Sequence, residues 1–296
     1  MYWAIWHILA GCSATCDIHF HYLCDVEKGV GNIGLAISGG CARVAAAIGV
    51  LKVIERMGIR PDIVVGTSAG AIVGALYCCG YSADEMAQIC CSQSWRKILN
   101  GKQYWALLEE MTGRRSDTDF DTLPIPFRCV ATCLDDYTEQ VLNHGVLADC
   151  VKASAAMPLL FPPVSIQGKR LVDGGMVNNL PTDVLRNMGI DTIIAIDLQQ
   201  ITFWQAGFSL KERLGIGGLL HWAVSHPEVK RYRQNVKLAD IYIKPPLKVI
   251  DGYIFSNSRS RRMIEAGEAA ARRYCPQLQA LRNAREEQGC VSLANR

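Results

Sequence analysis

Three short stretches of this sequence hold residue types that could carry out acyl transfer. The first is Gly66-Thr67-Ser68-Ala69-Gly70. A serine on a tight strand-to-helix turn has its Oγ pushed clear of the backbone, and flanking glycines remove side chains that would clash there. A β-rich run precedes Ser68 and a helix-forming run follows it. The helix N-terminus behind the serine favours developing negative charge. The second stretch is Ser38-Gly39-Gly40-Cys41-Ala42-Arg43. Successive glycines let backbone N–H groups face an anion, as an oxyanion hole requires. A phosphate loop is the competing reading, yet neither G-x-x-x-x-G-K-S/T nor G-x-G-x-x-G is present. The third is Asp173-Gly174-Gly175, a carboxylate on a glycine turn. Each alone is compatible with an ordinary turn. Together they supply nucleophile, donors and carboxylate at the ends of strands, where open α/β sheets place their active sites.

An α/β hydrolase ordinarily runs in the order Ser, Asp, His. Only His221 and His226 follow Asp173, and both fall within or beside a helical stretch rather than just after a strand. Without a histidine, Asp173 must take the serine proton itself, which burial would permit by raising its pKa toward neutrality.

The elements that must position these residues alternate. Gly34 to Ser38 is a short buried strand, and a helix runs from the Gly39-Gly40 turn to Met57. Its Val50, Val53, Ile54 and Met57 share one face, and Gly58 stands where a helix-ending glycine belongs. Ile63 to Val65 is a second strand, and a second helix covers Ala71 to Cys79. Ser82 and Glu85 form a capping box. Further strands are expected at Pro126 to Cys133, Val164 to Ile166, Arg170 to Val172, Asp191 to Asp197 and Ala239 to Ile243, with a last helix over 258–273. Ser209 and Glu212 cap another helix. Strand and helix in alternation with short joints imply parallel strands and right-handed crossovers. Nothing divides residues 31–296 into two domains.

The chain has 296 residues, half of them hydrophobic, and a net charge of +3. That length and apolar content suit one large α/β domain. No basic stripe with interleaved aromatics argues for nucleic acid. The 13 cysteines include the adjacent pairs Cys78–Cys79 and Cys90–Cys91. They read as small buried hydrophobes rather than a disulfide framework. Cys16, His19, His21 and Cys24 cluster without the spacing of a common zinc site. Residues 1–30 form a separate apolar and cysteine-rich segment, in which Leu9-Ala10-Gly11-Cys12 resembles a lipobox. No Lys or Arg precedes its apolar run, so lipidation at Cys12 and a plain apolar segment both stay open. No other stretch reaches the length of a membrane span.

The ordered stretches SGGCAR, IGVLKVIERMGI and PDIVVGTSAGAIVGALY, then ASAAMPLLFPPV, LVDGGMVNNLP and AIDL, resemble the patatin-like phospholipase family, in particular its compact bacterial members. The resemblance covers roughly residues 33 to 275. It implies a three-layer α/β/α sandwich with a mainly parallel central sheet, and a carboxylic ester hydrolase acting on phospholipid, lysophospholipid or another acyl ester. It assigns Ser68 as nucleophile, Asp173 as base, the backbone of Gly39, Gly40 and Cys41 as oxyanion hole and Arg43 as the loop's basic residue, with no cofactor and no metal. A membrane surface is a further expected partner, with location at the membrane, through Cys12 if that residue is lipidated, or otherwise in the cytoplasm. The aromatic segments Trp95 to Trp105 and Phe203 to Phe208 are candidates for acyl-chain or membrane contact. Two departures stand out: Cys41 replaces a glycine usual in that loop, and Val44 replaces the glycine usual after the arginine. A positive φ at Cys41 would cost roughly 1 kcal/mol or more. The alternatives are an esterase using His221 or His226 on non-lipid esters, and a catalytically impaired patatin-like protein.

Overall fold

A computed structural model describes residues 31–92, 109–110, 112, 118–158, 160–199, 229–253 and 255–294. Cys12, the Cys16 to Cys24 cluster, both aromatic segments, the Ser209 cap, His221 and His226 lie outside these residues. The order opens with β1 (Ile33–Ile37), α1 (Ala45–Arg56), β2 (Ile63–Thr67), α2 (Ala69–Cys78) and α3 (Ala83–Ser92). It continues with β3 (Thr118–Asp119), β4 (Phe127–Cys133), β5 (Glu139–Leu142), β6 (His144–Gly145), α4 (Leu147–Ser154), β7 (Val164–Ile166) and β8 (Lys169–Asp173). It closes with α5 (Thr182–Asn187), β9 (Thr192–Ile196), α6 (Val229–Leu238), β10 (Ile241–Ile243), α7 (Asn257–Arg272) and α8 (Cys275–Ala294).

The local signals in the sequence act as expected. Gly58 lies at φ 71 just past α1, and Ser82 and Glu85 exchange the bonds of a capping box before α3. β1 and β2 are buried along their whole length, because helices cover both faces of the sheet. Alternate residues feed two separate cores. Leu35, Ile37, Val64, Ile194 and Ile196 pack with α1, α2 and α7. Ala36, Val65, Ile193 and Ala195 pack with Leu185 of α5 and Tyr232 of α6. This is a three-layer α/β/α sandwich.

β10, β9, β1, β2 and β4 pair in parallel, in that spatial order. The sheet is mainly parallel, as expected; beyond this core β5 and β8 run antiparallel to β4, and β7 antiparallel to β8. Short connections explain the β4–β5 and β7–β8 pairings, since two to five residues can return a chain only as a hairpin; β8 reaches β4 only after β5, β6, α4 and β7. The consequence for the site is direct. β5 occupies one edge of β4 over Cys129 to Thr132. β2 holds the other edge over Phe127 to Val130, so β8, which pairs with Ala131 to Cys133, continues along that same edge from the opposite direction. β2 and β8 therefore meet carboxyl end to carboxyl end. Thr67 is level with Val130 and Asp173 with the next residue, Ala131.

Candidate active site

Ser68 and Asp173 face each other at that seam. Ser68 Oγ donates to Asp173 Oδ2 at 2.6 Å, across 105 residues of sequence. Ser68 has φ 55, a conformation non-glycine residues rarely hold and one that stores of order 1–3 kcal/mol. The surroundings enforce it. A Cβ on Gly66 would come within 2.6 Å of the Ala71 Cα, and a Cβ on Gly70 would overlap the carbonyl oxygens of Ile37 and Ser38. Both glycines of the pattern are thus steric requirements of the elbow. The Ser68 amide donates to Ser154 Oγ at 3.0 Å, and Ser154 Oγ donates onward to the Val130 carbonyl at 2.6 Å. Ser154 has no recognisable pattern of its own; its only signal was membership of the ASAAMP stretch.

Asp173 is held on every side. Its amide donates to the Ala156 carbonyl, its carbonyl accepts from Thr132 Oγ1, and Oδ1 accepts the Gly175 amide at 2.8 Å. Gly174 must lack a side chain, since a Cβ there would overlap the Val130 carbonyl. Burial pushes the Asp173 carboxyl up to about 6, against the opposing pull of the Ser68 and Gly175 hydrogen bonds. Desolvation is the larger effect because the side chain is only 4% exposed. His144, the one histidine among the described residues, lies elsewhere and bonds Asn143 and Gln167.

The Ser38 to Arg43 loop lies beside the elbow, with Gly39 against Ser68. A Cβ on Gly39 would stand 3.0 Å from the Ser68 Cβ. The Gly39 amide already donates to the Asn179 carbonyl at 3.2 Å. With that amide engaged, the next amides along the loop are those of Gly40 and Cys41. Arg43 is buried, with its guanidinium packed on Gly252. It braces the loop from behind. Cys41 has φ 51, so the cysteine holds the left-handed conformation suited to glycine. Burial pushes its thiol up to about 11, and the neighbouring Asp173 charge adds to this against the pull of Arg43. The protonated thiol is a poor redox centre at neutral pH. Cys41→Gly is expected to relieve about 1–2 kcal/mol of strain and raise the melting temperature by about 2–4 °C. A thermal melt of the two proteins checks this; an unchanged or lower melting temperature would show that the strain is offset by lost packing.

Asn179 was missed as an individual residue, although it lies in the VNNLP stretch. It is buried, and its side-chain amide donates to Gln199 Oε1 at 3.1 Å and approaches the Gly39 carbonyl at 3.4 Å. Thr67 Oγ1 donates to the Asn178 carbonyl at 2.9 Å, tying the elbow to the same turn. Among the described residues, no group of three or more His, Cys, Asp or Glu side chains is arranged to hold a metal ion. Among them, also, no helix is long and apolar enough to cross a membrane.

Fold and site define an α/β sandwich with a strained serine elbow hydrogen-bonded to a buried carboxylate. Comparison with known proteins places that class. The model of the family described as patatin-like phospholipase matches residues 35–186. The chain is 33% identical over 187 residues to neuropathy target esterase sws of Drosophila melanogaster, covering 56% of this chain and 13% of that protein. It is 31% identical over 186 residues to lysophospholipase NTE1 of Saccharomyces cerevisiae, covering 56% and 11%. The crystal structure of VipD from Legionella pneumophila shares the fold, with a TM-score of 0.51 and 14% identity over 84% of this chain and 67% of that one. The chain belongs to the patatin-like phospholipase family. It spans little more than a tenth of the length of these two curated relatives.

Proposed function

We propose that the chain is a serine lipid acyl hydrolase in which Ser68 and Asp173 act as a two-residue centre. The single observation that supports this most is the 2.6 Å hydrogen bond from Ser68 Oγ to a carboxylate whose pKa burial has raised to about 6. Ser68 Oγ attacks the ester carbonyl carbon as Asp173 Oδ2 takes its proton. The amides of Gly40 and Cys41 donate to the oxyanion, and the α2 N-terminus adds its dipole. Collapse of the tetrahedral species expels the alcohol, which takes the proton from Asp173 and leaves an acyl-serine. Water then attacks that ester with Asp173 again as base, releasing the fatty acid. The reading that the acyl ester is a phospholipid or lysophospholipid draws on the names of the family and its relatives.

We assign residues 31–296 to the hydrolase domain; segment 1–30 is either a membrane anchor through a lipidated Cys12 or a plain apolar segment. Leu160, Ile250 and Tyr253 support a lipid surface as the source of substrate. They are large apolar side chains left exposed, Leu160 on a turn, Ile250 within the 3-10 turn Val249–Gly252 and Tyr253 at its end. Leu160 follows the turn whose Ala156 carbonyl holds Asp173, and Ile250 and Tyr253 flank Gly252, on which Arg43 packs.

The test is labelling by a fluorophosphonate together with hydrolysis of lysophosphatidylcholine across pH. Asp173 acts deprotonated, so kcat/KM should be flat above pH 7 and fall as pH drops through about 6. The loss steepens to tenfold per pH unit and reaches about 100-fold by pH 4. Labelling without lysolipid turnover would leave an acyl hydrolase of different substrate. Absence of both would overturn the reading.

A further inference from the structure

We propose that Asp197, at the carboxyl end of β9, is a positioning residue that holds the oxyanion loop in register with Ser68 through Gln199 and Asn179. This rests on the reading of Ser68 as nucleophile. The observation that prompts it is a buried carboxylate outside the reacting pair. Asp197 is 0% exposed and directly follows β9 at the carboxyl edge of the central sheet. Its Oδ2 accepts from Tyr242 Oη at 2.5 Å, Tyr232 Oη at 2.6 Å and Lys244 Nζ at 2.7 Å. Its Oδ1 accepts the Gln199 amide at 2.8 Å. A buried ion pair adds little net stability, because desolvation offsets the attraction. Four donors converging on one carboxylate do fix geometry, and what they fix here is the turn Asp197 to Gln199.

That turn grips the oxyanion loop at three points. The Leu198 amide donates to Ser38 Oγ at 2.8 Å. The Leu198 side chain fills the space where Gly40 has none, since a Cβ on Gly40 would stand 2.8 Å from the Leu198 Cβ. Gln199 Oε1 accepts from Asn179 Nδ2, and the Asn179 carbonyl accepts the Gly39 amide. The chain of contacts thus runs from Tyr232 on α6, with Tyr242 and Lys244 on or beside β10, through Asp197 to the loop that carries the Gly40 and Cys41 amides. A carboxylate that touches neither substrate nor Ser68 would thereby set the aim of both donors. Small misplacement of such donors lowers the rate with little effect on ground-state binding, because they act where charge develops.

The experiment compares wild type with Asp197→Asn and Gln199→Leu in ester hydrolysis, with rates normalised to active sites by a fluorophosphonate burst. Asp197→Asn keeps shape but weakens the grip on Lys244 and the two tyrosines. Its kcat should fall at least tenfold with KM within twofold of wild type, and its fluorophosphonate inactivation rate should fall in parallel. Gln199→Leu, which cuts only the link to Asn179, should lower kcat severalfold and serves as the deciding variant if Asp197→Asn does not fold. Unchanged kcat per active site in the folded variants, with only a lower melting temperature, would assign Asp197 to stability alone and overturn the proposal. A raised KM at constant kcat would overturn it too. A wild type lacking Ser68-dependent turnover would overturn the assignment of Ser68, and with it the role given to Asp197.

Discussion

Ser68→Ala and Asp173→Asn are each expected to lower kcat by at least about 10⁴-fold, because residues that act as one unit lose nearly everything when either is removed. Fluorophosphonate labelling should vanish in Ser68→Ala, and fall to background in Asp173→Asn on the same time scale. The two variants should differ in stability in an informative way. Asp173 has its folded pKa raised from 3.8 to about 6. The folded state therefore holds the proton more tightly than the unfolded state. Stability is greatest below the unfolded pKa and declines as pH rises from about 4 to 6, so ionised Asp173 is a burden at neutral pH. The gap corresponds to roughly 3 kcal/mol. Asp173→Asn should then melt above wild type at pH 7, by up to that amount less the altered hydrogen bonds, and lose the advantage at pH 4. Denaturant melts at both pH values read this directly. A less stable Asp173→Asn at pH 7 would mean that the carboxylate is better solvated than its burial indicates, and would remove the physical basis for its action as a base.

Gly70→Ala carries the second large effect. Gly70 lies in the first turn of α2, pressed against the carbonyl oxygens of Ile37 and Ser38. It packs the first turn of α2 directly against the end of β1 that leads into the Gly39-Gly40 loop. The atoms an added methyl group would meet are backbone on both sides, so no side chain can swing away to make room. The variant is expected to lose about 3 kcal/mol or more of stability. The displacement separates Ser68 from the Gly40 and Cys41 amides, and a shift near 1 Å can cost on the order of 10²-fold in rate. Activity per folded molecule, obtained from burst titration beside a thermal melt, separates the two effects. A folded Gly70→Ala with wild-type kcat would show that the close approach is dispensable for chemistry. Gly80→Ala makes a useful comparison, because Gly80 ends α2 in open space at φ 101 and its substitution should cost only local backbone strain.

The elements around Ser68 and Asp173 were legible because each has a short-range physical signature. Residues 33–37 and 63–67 are apolar runs bounded by glycine, α1 shows helical periodicity up to a glycine stop, and Ser82 with Glu85 marks the start of α3. Ser68 and Gly39-Gly40 could be picked out because elbow and loop require particular residue types within a few positions. Asp173 was legible only in company, since an Asp-Gly-Gly turn alone has many uses. Ser154, Asn179, Asp197 and Gln199 could not be found individually. Each works through a partner distant in the chain, such as Ser154 with Ser68, 86 residues away. A lone buried polar residue has no periodicity to betray it.

What the sequence determined by itself was the set of tools: a serine on an elbow, a glycine loop, a carboxylate on a turn and the strands that end in each. Backbone sterics and burial patterns act within a few residues, so they can be read directly. Only the tertiary structure decided how the tools meet. The reversal of β8 along the β4 edge already used by β2 brings two carboxyl ends together, and that register places Asp173 opposite Ser68. The same assembly takes the Gly39 amide for Asn179, puts Cys41 in a glycine conformation and buries Asp197 under four donors. These are consequences of long-range pairing and desolvation, which exist only once distant segments have closed on one another.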